Sequence, residues 1–175
     1  MPTTRPTARA SSPRRKPLRV GTPTIALRVE AGEWPPRPVL RRIARRAVDA
    51  TVAAARPALT AEAEVSLVFT GDAEVRRLNV TYRGKDSATN VLSFPGVAVG
   101  APGGPMLGDI VLAAETIRRE ADAEGLKLAD HLTHLLIHGF LHLLGYDHEA
   151  DAEAAVMEGL ETAILARLGI ADPYA

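Results

Sequence analysis

The sequence predicts a single α+β domain in which a mixed sheet of about four strands packs against about five helices. Segments with strand and helix periodicity follow one another in the order strand, helix, strand, helix, strand, strand, helix, helix, helix. A length of 175 residues suits one domain that buries roughly two thirds of its unfolded surface. The chain has no cysteine, which excludes structural disulfides and thiolate metal sites and is compatible with the cytosol.

Residues 1–22 are predicted to form a disordered basic tail, and residues 23–175 the folded domain. The first twenty residues are rich in Pro, Ser, Thr and Arg and contain almost nothing to bury. Every charged residue before Glu30 is basic, namely Arg5, Arg9, Arg14, Arg15, Lys16, Arg19 and Arg28. Because the formal net charge of the whole chain is zero, the remainder is acidic. No stretch is long and apolar enough to cross a membrane, so we expect a soluble protein.

The segment at 24–55 is predicted to contain the first strand and an amphipathic helix. TIALRVE at 24–30 alternates as a strand does, and a loop with three prolines follows it. The helix is expected at 39–55, where Pro57 prevents its continuation. Its inward face consists of Leu40, Ile43, Ala47 and Val48, and its other faces carry Arg41, Arg42, Arg45 and Arg46. These arginines form either a solvated face or a grip for phosphates.

A loop with two cations separates the next helix from a short buried strand. The predicted elements are a strand at 63–71, a helix at about 73–80 capped by Asp72, and a strand at 91–94 ended by Pro95. Arg83 and Lys85 lie between them, beside a glycine. A guanidinium on a loop is suited to bind a phosphate bidentately, although an exposed arginine is more often ordinary surface charge.

The second half begins with a predicted hairpin and contains one acidic residue among apolar neighbours. The predicted elements are a flexible Gly- and Pro-rich connection at 96–105, a strand at 107–114, a charged helix ending near Gly125, and a last helix at about 150–168. Asp109 either orients an active-site group or caps a turn. In the last helix we expect Met157 to pack and Glu161 to lie on the surface, with Val156, Leu160, Ala163, Ile164 and Leu168 turned inward.

All five histidines lie between His131 and Glu149, on a predicted helix with a leucine-rich face. His138 and His142 are one helical turn apart, about 6 Å of rise, so both imidazoles can bind one ion. Gly145 can adopt the left-handed conformation that ends a helix and returns His148 toward the other two. Three protein ligands leave a tetrahedral zinc one open position, as in a catalytic site. The sequence therefore predicts one zinc ion per chain.

The histidine spacing is that of the HExxHxxGxxH zinc hydrolases, but Gly139 replaces their catalytic glutamate. This replacement argues against peptide hydrolysis by the usual route. A position without a side chain would leave room beside the metal for a bulky, charged substrate, which is a hypothesis. His134, one turn before His138, is expected to support a ligand or to face the substrate, and His131 to lie on the surface.

Three motifs resemble those of the YbeY family of bacterial endoribonucleases, the rRNA maturation factors. They are HGFLHLLGYDH at 138–148, YRGKDSATNVLSFP at 82–95 and LGDI at 107–110, and the likeness runs from about Ile25 to the C-terminus. The resemblance implies a cytoplasmic, metal-dependent, single-strand-directed endoribonuclease that acts in 16S rRNA 3′-end maturation and in ribosome quality control. It implies rRNA and the small ribosomal subunit as partners, with ribosomal proteins or an assembly GTPase as further candidates, and neither DNA nor a membrane.

The same resemblance assigns roles to individual residues. Arg83 would bind the scissile phosphate beside a zinc ion held by His138, His142 and His148, and Asp109 would orient an active-site group. The nucleophile is either a water molecule or the 2′-OH of the RNA. The basic tail is either an extension without a role or an arm that adds nonspecific RNA affinity.

Two other classes of function stay open at this point. One is a zinc peptidase, against which Gly139 argues. The other is a noncatalytic, ribosome-associated module whose zinc only stabilises the fold, and a fourth protein ligand such as His134 would favour it. The sequence has no aromatic stacking platform, so RNA would be held mainly by its backbone, with weak sequence readout.

Overall fold

The structure, a computed structural model, describes residues 21–96 and 105–174 of the chain and confirms the predicted element order. Its elements are β1 (Thr24–Val29), α1 (Arg37–Ala55), β2 (Glu64–Thr70), α2 (Asp72–Arg83), β3 (Val91–Pro95), β4 (Met106–Ala113), α3 (Ala114–Glu124), α4 (Leu128–Leu143) and α5 (Asp151–Arg167). None of these helices is long and apolar enough to cross a membrane. The predicted tail, up to residue 20, and residues 97–104 of the predicted flexible connection lie outside the described residues.

The four strands form one mixed sheet in the order β1-β2-β4-β3, which confirms the predicted α+β class. β2 pairs in parallel with both β1 and β4, whereas β3 pairs antiparallel with β4. Helices cover both faces of the two central strands, so β2 and β4 are buried along most of their length, as strands in such a position must be. α1, α4 and α5 share the main core with one face, and α2 packs on the other.

The inward face of α1 is the predicted one. Leu40, Ile43, Ala47 and Val48 are buried against the main core, and the four arginines at 41, 42, 45 and 46 are exposed. Two of these arginines are held by backbone oxygens, since Arg45 donates to the carbonyl of Pro23 and Arg46 to that of Leu168. The helix thus ties β1 and the end of α5 to the domain.

Asp72 does not cap α2 as predicted but belongs to its first turn, and its carboxylate caps α3 instead. The backbone N–H and the hydroxyl of Thr116 donate to Asp72 at 2.9 Å each. In return, the N–H of Asp72 donates to the carboxylate of Glu115 at 2.7 Å. Each helix therefore satisfies free N–H groups at the start of the other.

The predicted inward face of α5 is partly wrong. Val156 is 61% exposed and Ala163 is also exposed, whereas Ile164 is buried as predicted. The buried residues of α5 are Met157, Glu161, Ile164 and Leu165. The packed stripe therefore contains a carboxylate, Glu161, which was predicted on the surface although Met157 and Ile164 of the same stripe were predicted to pack.

Candidate metal centre

Four of the five histidines lie on α4, a helix that is buried along most of its length and packs against both the sheet and α1. α4 ends at Leu143, and Gly145 follows with φ of +92°, as predicted for a residue that stops a helix. The N–H groups of Gly145 and Tyr146 donate to the carbonyls of His142 and Leu141, which closes the turn. This turn returns His148 to the side of α4 that carries His138 and His142.

The three predicted ligands converge on one point. One ligand atom from each of His138, His142 and His148 lies within 4.8 Å of the other two. The Nε2 atoms of His138 and His142 are 3.1 Å apart. Two nitrogens bound to one tetrahedral zinc at about 2.0 to 2.1 Å would be about 3.3 Å apart, so the donor set and its spacing fit such an ion. The group could therefore bind a metal.

His142 is suited to metal binding because it stays neutral at physiological pH. The pKa of this imidazole is lowered to about 4, first by burial and then by the neighbouring His138 and His148. Asp147 and a backbone hydrogen bond at Tyr146 raise the pKa, but by less. A neutral imidazole keeps a free lone pair, whereas a protonated one has none to offer an ion.

A buried carboxylate, that of Glu161, hydrogen-bonds to His138, the first of the three predicted ligands. Glu161 of α5 has no exposed surface, and its Oε1 accepts a hydrogen bond of 2.8 Å from Nδ1 of His138. Its Oε2 accepts from Nε2 of His134 at 3.3 Å and from the hydroxyl of Tyr174. Burial alone would raise the pKa of Glu161, but these hydrogen bonds outweigh it and lower the pKa to about 2. Glu161 is therefore an ionised group of the site, and its predicted surface position is wrong.

The other two histidines have different partners. His134 hydrogen-bonds to Glu161 and does not belong to the metal-ligand group found among the described residues. His134 therefore contacts the carboxylate that pairs with His138, and its role in supporting a ligand or facing the substrate stays a prediction. His131 is only 8% exposed and pairs with Glu120 at 2.9 Å, so its predicted surface position is wrong. Glu120 in turn accepts from the side-chain amide of Asn90 and thereby connects α4 to the start of β3.

Gly139 faces the sheet and not the space beside the histidines. A Cβ atom at this position would lie 3.0 Å from both Cγ2 of Ile110 and Oγ of Ser93. The Ser93 hydroxyl also donates to the Gly139 carbonyl at 3.2 Å. The hypothesis that this glycine makes room for a substrate is therefore wrong, because what it permits is the close approach of α4 to β3 and β4.

Arg83 and the three histidines line one open cleft of about 840 Å³. Arg83 is the last residue of α2 and not a loop residue as predicted, and Gly84, with φ of +67°, ends the helix after it. The remaining lining residues are Lys85, Thr89, Asn90, Val91, Ser93, Pro95, Gly145, Tyr146, Asp147, Glu149 and Glu153. The cleft is polarised, because its cations come from the end of α2 and its acids from the segment around α5.

Asp109 is not part of this cleft. It pairs with Phe94 across β3 and β4 and lines a smaller depression with Arg28, Glu30 and Tyr82 on the α2 face of the sheet. Ile110, the next residue, faces α4 and contacts Gly139 instead. The predicted role of Asp109 in orienting an active-site group does not agree with this position, because successive residues of a strand point to opposite faces.

Glu161 and Tyr174 are the site residues that sequence reasoning missed. One signal was available for the first of them. Met157, Glu161, Ile164 and Leu165 have the spacing of one helix face, and an acid in the middle of an apolar stripe indicates a buried, partnered carboxylate. Tyr174 lies thirteen residues further on and gave no such signal.

The fold and the histidine group define an α+β protein with a candidate metal centre at an open cleft. The chain belongs to the Endoribonuclease YbeY family, whose model matches residues 35–169. The resemblance carried by the three sequence motifs is thus confirmed.

Individual relatives agree with this assignment. A protein of Rhizobium meliloti (strain 1021) named Endoribonuclease YbeY is 54% identical over 158 residues, which cover 86% of this chain and 94% of the relative. One of the same name from Rhizobium etli (strain CIAT 652) is 52% identical over 157 residues, covering 86% and 92%. The solution structure of TM1509 from Thermotoga maritima has a TM-score of 0.52 at 20% identity and covers 87% of this chain and 99% of that one, which supports the fold alone.

Proposed function

We propose that this chain is a zinc-dependent, single-strand-directed endoribonuclease in which His138, His142 and His148 hold one zinc ion and Arg83 binds the scissile phosphate. The observation that carries the proposal is the convergence of three histidine ligand atoms within 4.8 Å of one another in a cleft that Arg83 also lines. Relatives at more than 50% identity are named endoribonucleases, which supports RNA as the substrate.

The zinc ion and Arg83 have separate tasks in this proposal. His138, His142 and His148 would hold the zinc ion, which would supply Lewis-acid polarisation of a phosphoryl oxygen and would lower the pKa of a water molecule. In the described part of the chain, Arg83 has no carboxylate within 4.0 Å, so its guanidinium is free to bind an anion. Bidentate hydrogen bonds from Arg83 to the nonbridging oxygens would offset the negative charge that grows in the transition state.

The polarised cleft also orients the RNA. Arg83 and Lys85 attract a phosphate backbone, whereas Asp147, Glu149 and Glu153 on the other side repel it. The strand would therefore pass along the Arg83 side and present one phosphate to the histidines. Contacts of this kind position the backbone without reading bases, so we expect weak sequence preference from the isolated protein.

Two observations support this proposal over the alternatives. In the zinc peptidase motif, position 139 would be the catalytic glutamate. Here position 139 faces Ile110 and Ser93 at the contact between α4 and the sheet, which argues against a peptidase. Among the described residues, the candidate metal group has three members and His134 hydrogen-bonds to Glu161 instead of joining it. A three-ligand set favours a catalytic centre over a structural zinc.

Family membership supports the cellular role that we propose. The enzyme would act in the cytoplasm in 16S rRNA 3′-end maturation and ribosome quality control, with rRNA and the small ribosomal subunit as partners. Ribosomal proteins or an assembly GTPase are further proposed partners. Residues 23–175 would form the endoribonuclease domain, and residues 1–22 a disordered basic tail.

The test couples metal analysis to cleavage. Purified wild-type protein is expected to contain near one equivalent of zinc and to cleave a single-stranded rRNA fragment but not a peptide substrate. His142→Ala is expected to lose both metal and cleavage, because two remaining imidazoles make a weak site. Wild-type protein depleted of metal and then reloaded with zinc serves as the control. A wild type without metal, or a His142→Ala variant that still cleaves RNA, would contradict the proposal.

A further inference from the structure

Glu161 is the most deeply buried ionisable group of the site, and three donors converge on it. Its side chain has no exposed surface, and its partners are His138 on one oxygen and His134 and Tyr174 on the other. Its ion-pair partners are two histidines. A buried carboxylate is costly unless every lone pair is used, so a position with three donors indicates a specific task.

The role of Glu161 follows from the atom of His138 that it contacts, Nδ1. A carboxylate only accepts, so Nδ1 of His138 must carry the hydrogen in the 2.8 Å contact to Oε1. In the neutral imidazole this leaves Nε2 with a free lone pair, and Nε2 is the atom that faces Nε2 of His142 at 3.1 Å. Without an acceptor at Nδ1, the ring could adopt the other tautomer, in which Nε2 carries a hydrogen and cannot bind an ion.

His134 and Tyr174 hold the carboxylate itself. His134 precedes His138 by one turn of α4, and its ring meets that of Tyr174 edge to face with centroids 6.0 Å apart. Both side chains donate to Oε2, which leaves Oε1 directed at His138. Tyr174 is 48% exposed, so a change there disturbs the core less than a change at the fully buried Glu161.

We propose that Glu161, held in place by His134 and Tyr174, is a positioning residue that fixes the tautomer and ring orientation of His138 and thereby raises the affinity of the centre for its metal ion. This inference rests on the proposed three-histidine centre. A carboxylate behind a histidine ligand also increases the basicity of the imidazole, and partners of this kind typically change metal affinity about 10- to 100-fold.

The test measures zinc affinity by competition with a chelator for wild type, Glu161→Gln and Tyr174→Phe. We expect Glu161→Gln to weaken zinc binding about 10- to 100-fold. Tyr174→Phe removes one donor and is expected to weaken binding about 2- to 10-fold. The matched controls are Glu124→Gln, an exposed acid of α3, and Tyr82→Phe, an exposed tyrosine on the α2 face, and both are expected to bind zinc as the wild type does.

Two further measurements separate positioning from mere stability. Long-range ¹⁵N NMR of the metal-free protein is expected to show the hydrogen of His138 on Nδ1 in the wild type and a mixture of tautomers in Glu161→Gln. The melting temperature of the metal-free Tyr174→Phe protein is expected to fall by no more than a few degrees, because a single hydrogen bond is lost. Glu161 is buried, so Glu161→Gln can lose stability. If that variant does not fold, the zinc affinity of Tyr174→Phe is the decisive measurement.

The outcomes are distinguishable from failure of the proposed function. A wild type that binds no metal would overturn both proposals. If the wild type binds one zinc ion and the Glu161 and Tyr174 variants match their controls, only the positioning role is overturned. Hydrogen on Nε2 of His138 in the metal-free wild type would overturn it as well.

Discussion

Arg83 is expected to be needed for catalysis but not for metal binding. Its guanidinium lines the cleft of the histidines but does not belong to the ligand group. We predict that Arg83→Ala folds and binds zinc but cleaves RNA at least about a hundredfold more slowly, since loss of such a donor costs about 3 to 4 kcal/mol in the transition state. Because Arg83 ends α2, its removal is expected to cost under about 1 kcal/mol of stability.

Single-turnover cleavage, zinc content and melting temperature of one preparation test this prediction. Arg83→Lys should recover only part of the rate, because an ammonium keeps the charge but not the bidentate fork. Arg167→Ala is a matched control, since Arg167 is likewise the last residue of a helix, α5, and is exposed. Unchanged cleavage in Arg83→Ala would remove the phosphate-binding role, and lost zinc or lost folding would make Arg83 structural.

Gly139 has a structural role that a small substitution reveals. An added Cβ would press on Ile110 and Ser93 at 3.0 Å. Overpacking typically costs about 1 to 3 kcal/mol, whereas alanine gains up to about 1 kcal/mol over glycine in helix propensity. We therefore predict that Gly139→Ala lowers the free energy of unfolding by about 1 to 2 kcal/mol.

Urea unfolding of the metal-free protein measures this effect. Gly159→Ala is the control, because Gly159 also lies within a helix but has no atom within 4 Å of an added Cβ. It is expected to raise the free energy of unfolding by about 0.5 to 1 kcal/mol. A Gly139→Ala variant as stable as Gly159→Ala would contradict the prediction, because it would show that α4 and the sheet move apart at little energetic cost.

The reciprocal caps of α2 and α3 make these two helices dependent on each other. Asp72→Ala removes the acceptor for both the N–H and the hydroxyl of Thr116. We predict a loss of about 1 to 2 kcal/mol, as for a typical cap with a charged acceptor. Asp122→Ala, an exposed acid on α3, is expected to stay within about 0.5 kcal/mol of the wild type.

Amide hydrogen exchange locates the effect of Asp72→Ala. Faster exchange is expected in the first turns of both helices, because Asp72 belongs to α2 and caps α3. An effect confined to α2 would mean that the contact across the helices is not stabilising. Since Arg83 lies at the other end of α2, slower RNA cleavage at full zinc content would indicate that the cap also positions the cleft.

Prediction from the sequence succeeds where an element is specified by its own residues. The inward face of α1 is clear because apolar and charged residues separate cleanly, and His148 returns to the site through a local turn at Gly145. It fails where a distant partner decides. Asp72 has the composition of a local cap but bonds to Thr116, 44 residues away, and a charge as deeply buried as Glu161 is tolerated only because α4 and Tyr174 donate to it.

At the scale of the whole molecule, the order of strands and helices was predictable but their arrangement in space was not. The sheet places β4 between β2 and β3, which a linear pattern cannot show because neighbouring strands need not be consecutive. The same limit applies to Asp109. A strand pattern shows that it differs from its apolar neighbours, but only the positions of α2 and α4 decide which face of the sheet is the face of the site.

Charge is divided unevenly along the chain, and this division allows a test of whether the predicted basic tail contributes to RNA binding. Residues 1–20 contain six of the 21 basic residues and none of the 21 acidic ones, so their removal leaves a formal net charge of −6. A body with that charge repels RNA except near clusters of exposed cations, such as Arg83 and Lys85 at the cleft and the arginines of α1. We predict that deletion of residues 1–20 leaves the melting temperature unchanged within a few degrees but weakens RNA binding at low salt.

The salt dependence of RNA affinity distinguishes an electrostatic arm from an extension without a role. For a single strand, the slope of log K against log salt is about −0.7 for each phosphate that the protein neutralises. Removal of the six basic residues is therefore expected to make the slope less steep, by up to about 4. A variant whose tail keeps its composition in scrambled order is the control, and it should bind as the wild type does because counterion release depends on charge and not on sequence. Equal slopes for the deletion and the wild type would contradict the electrostatic role. A loss of folding on deletion would instead contradict the boundary at residues 22 and 23, because it would mean that the tail packs against the domain.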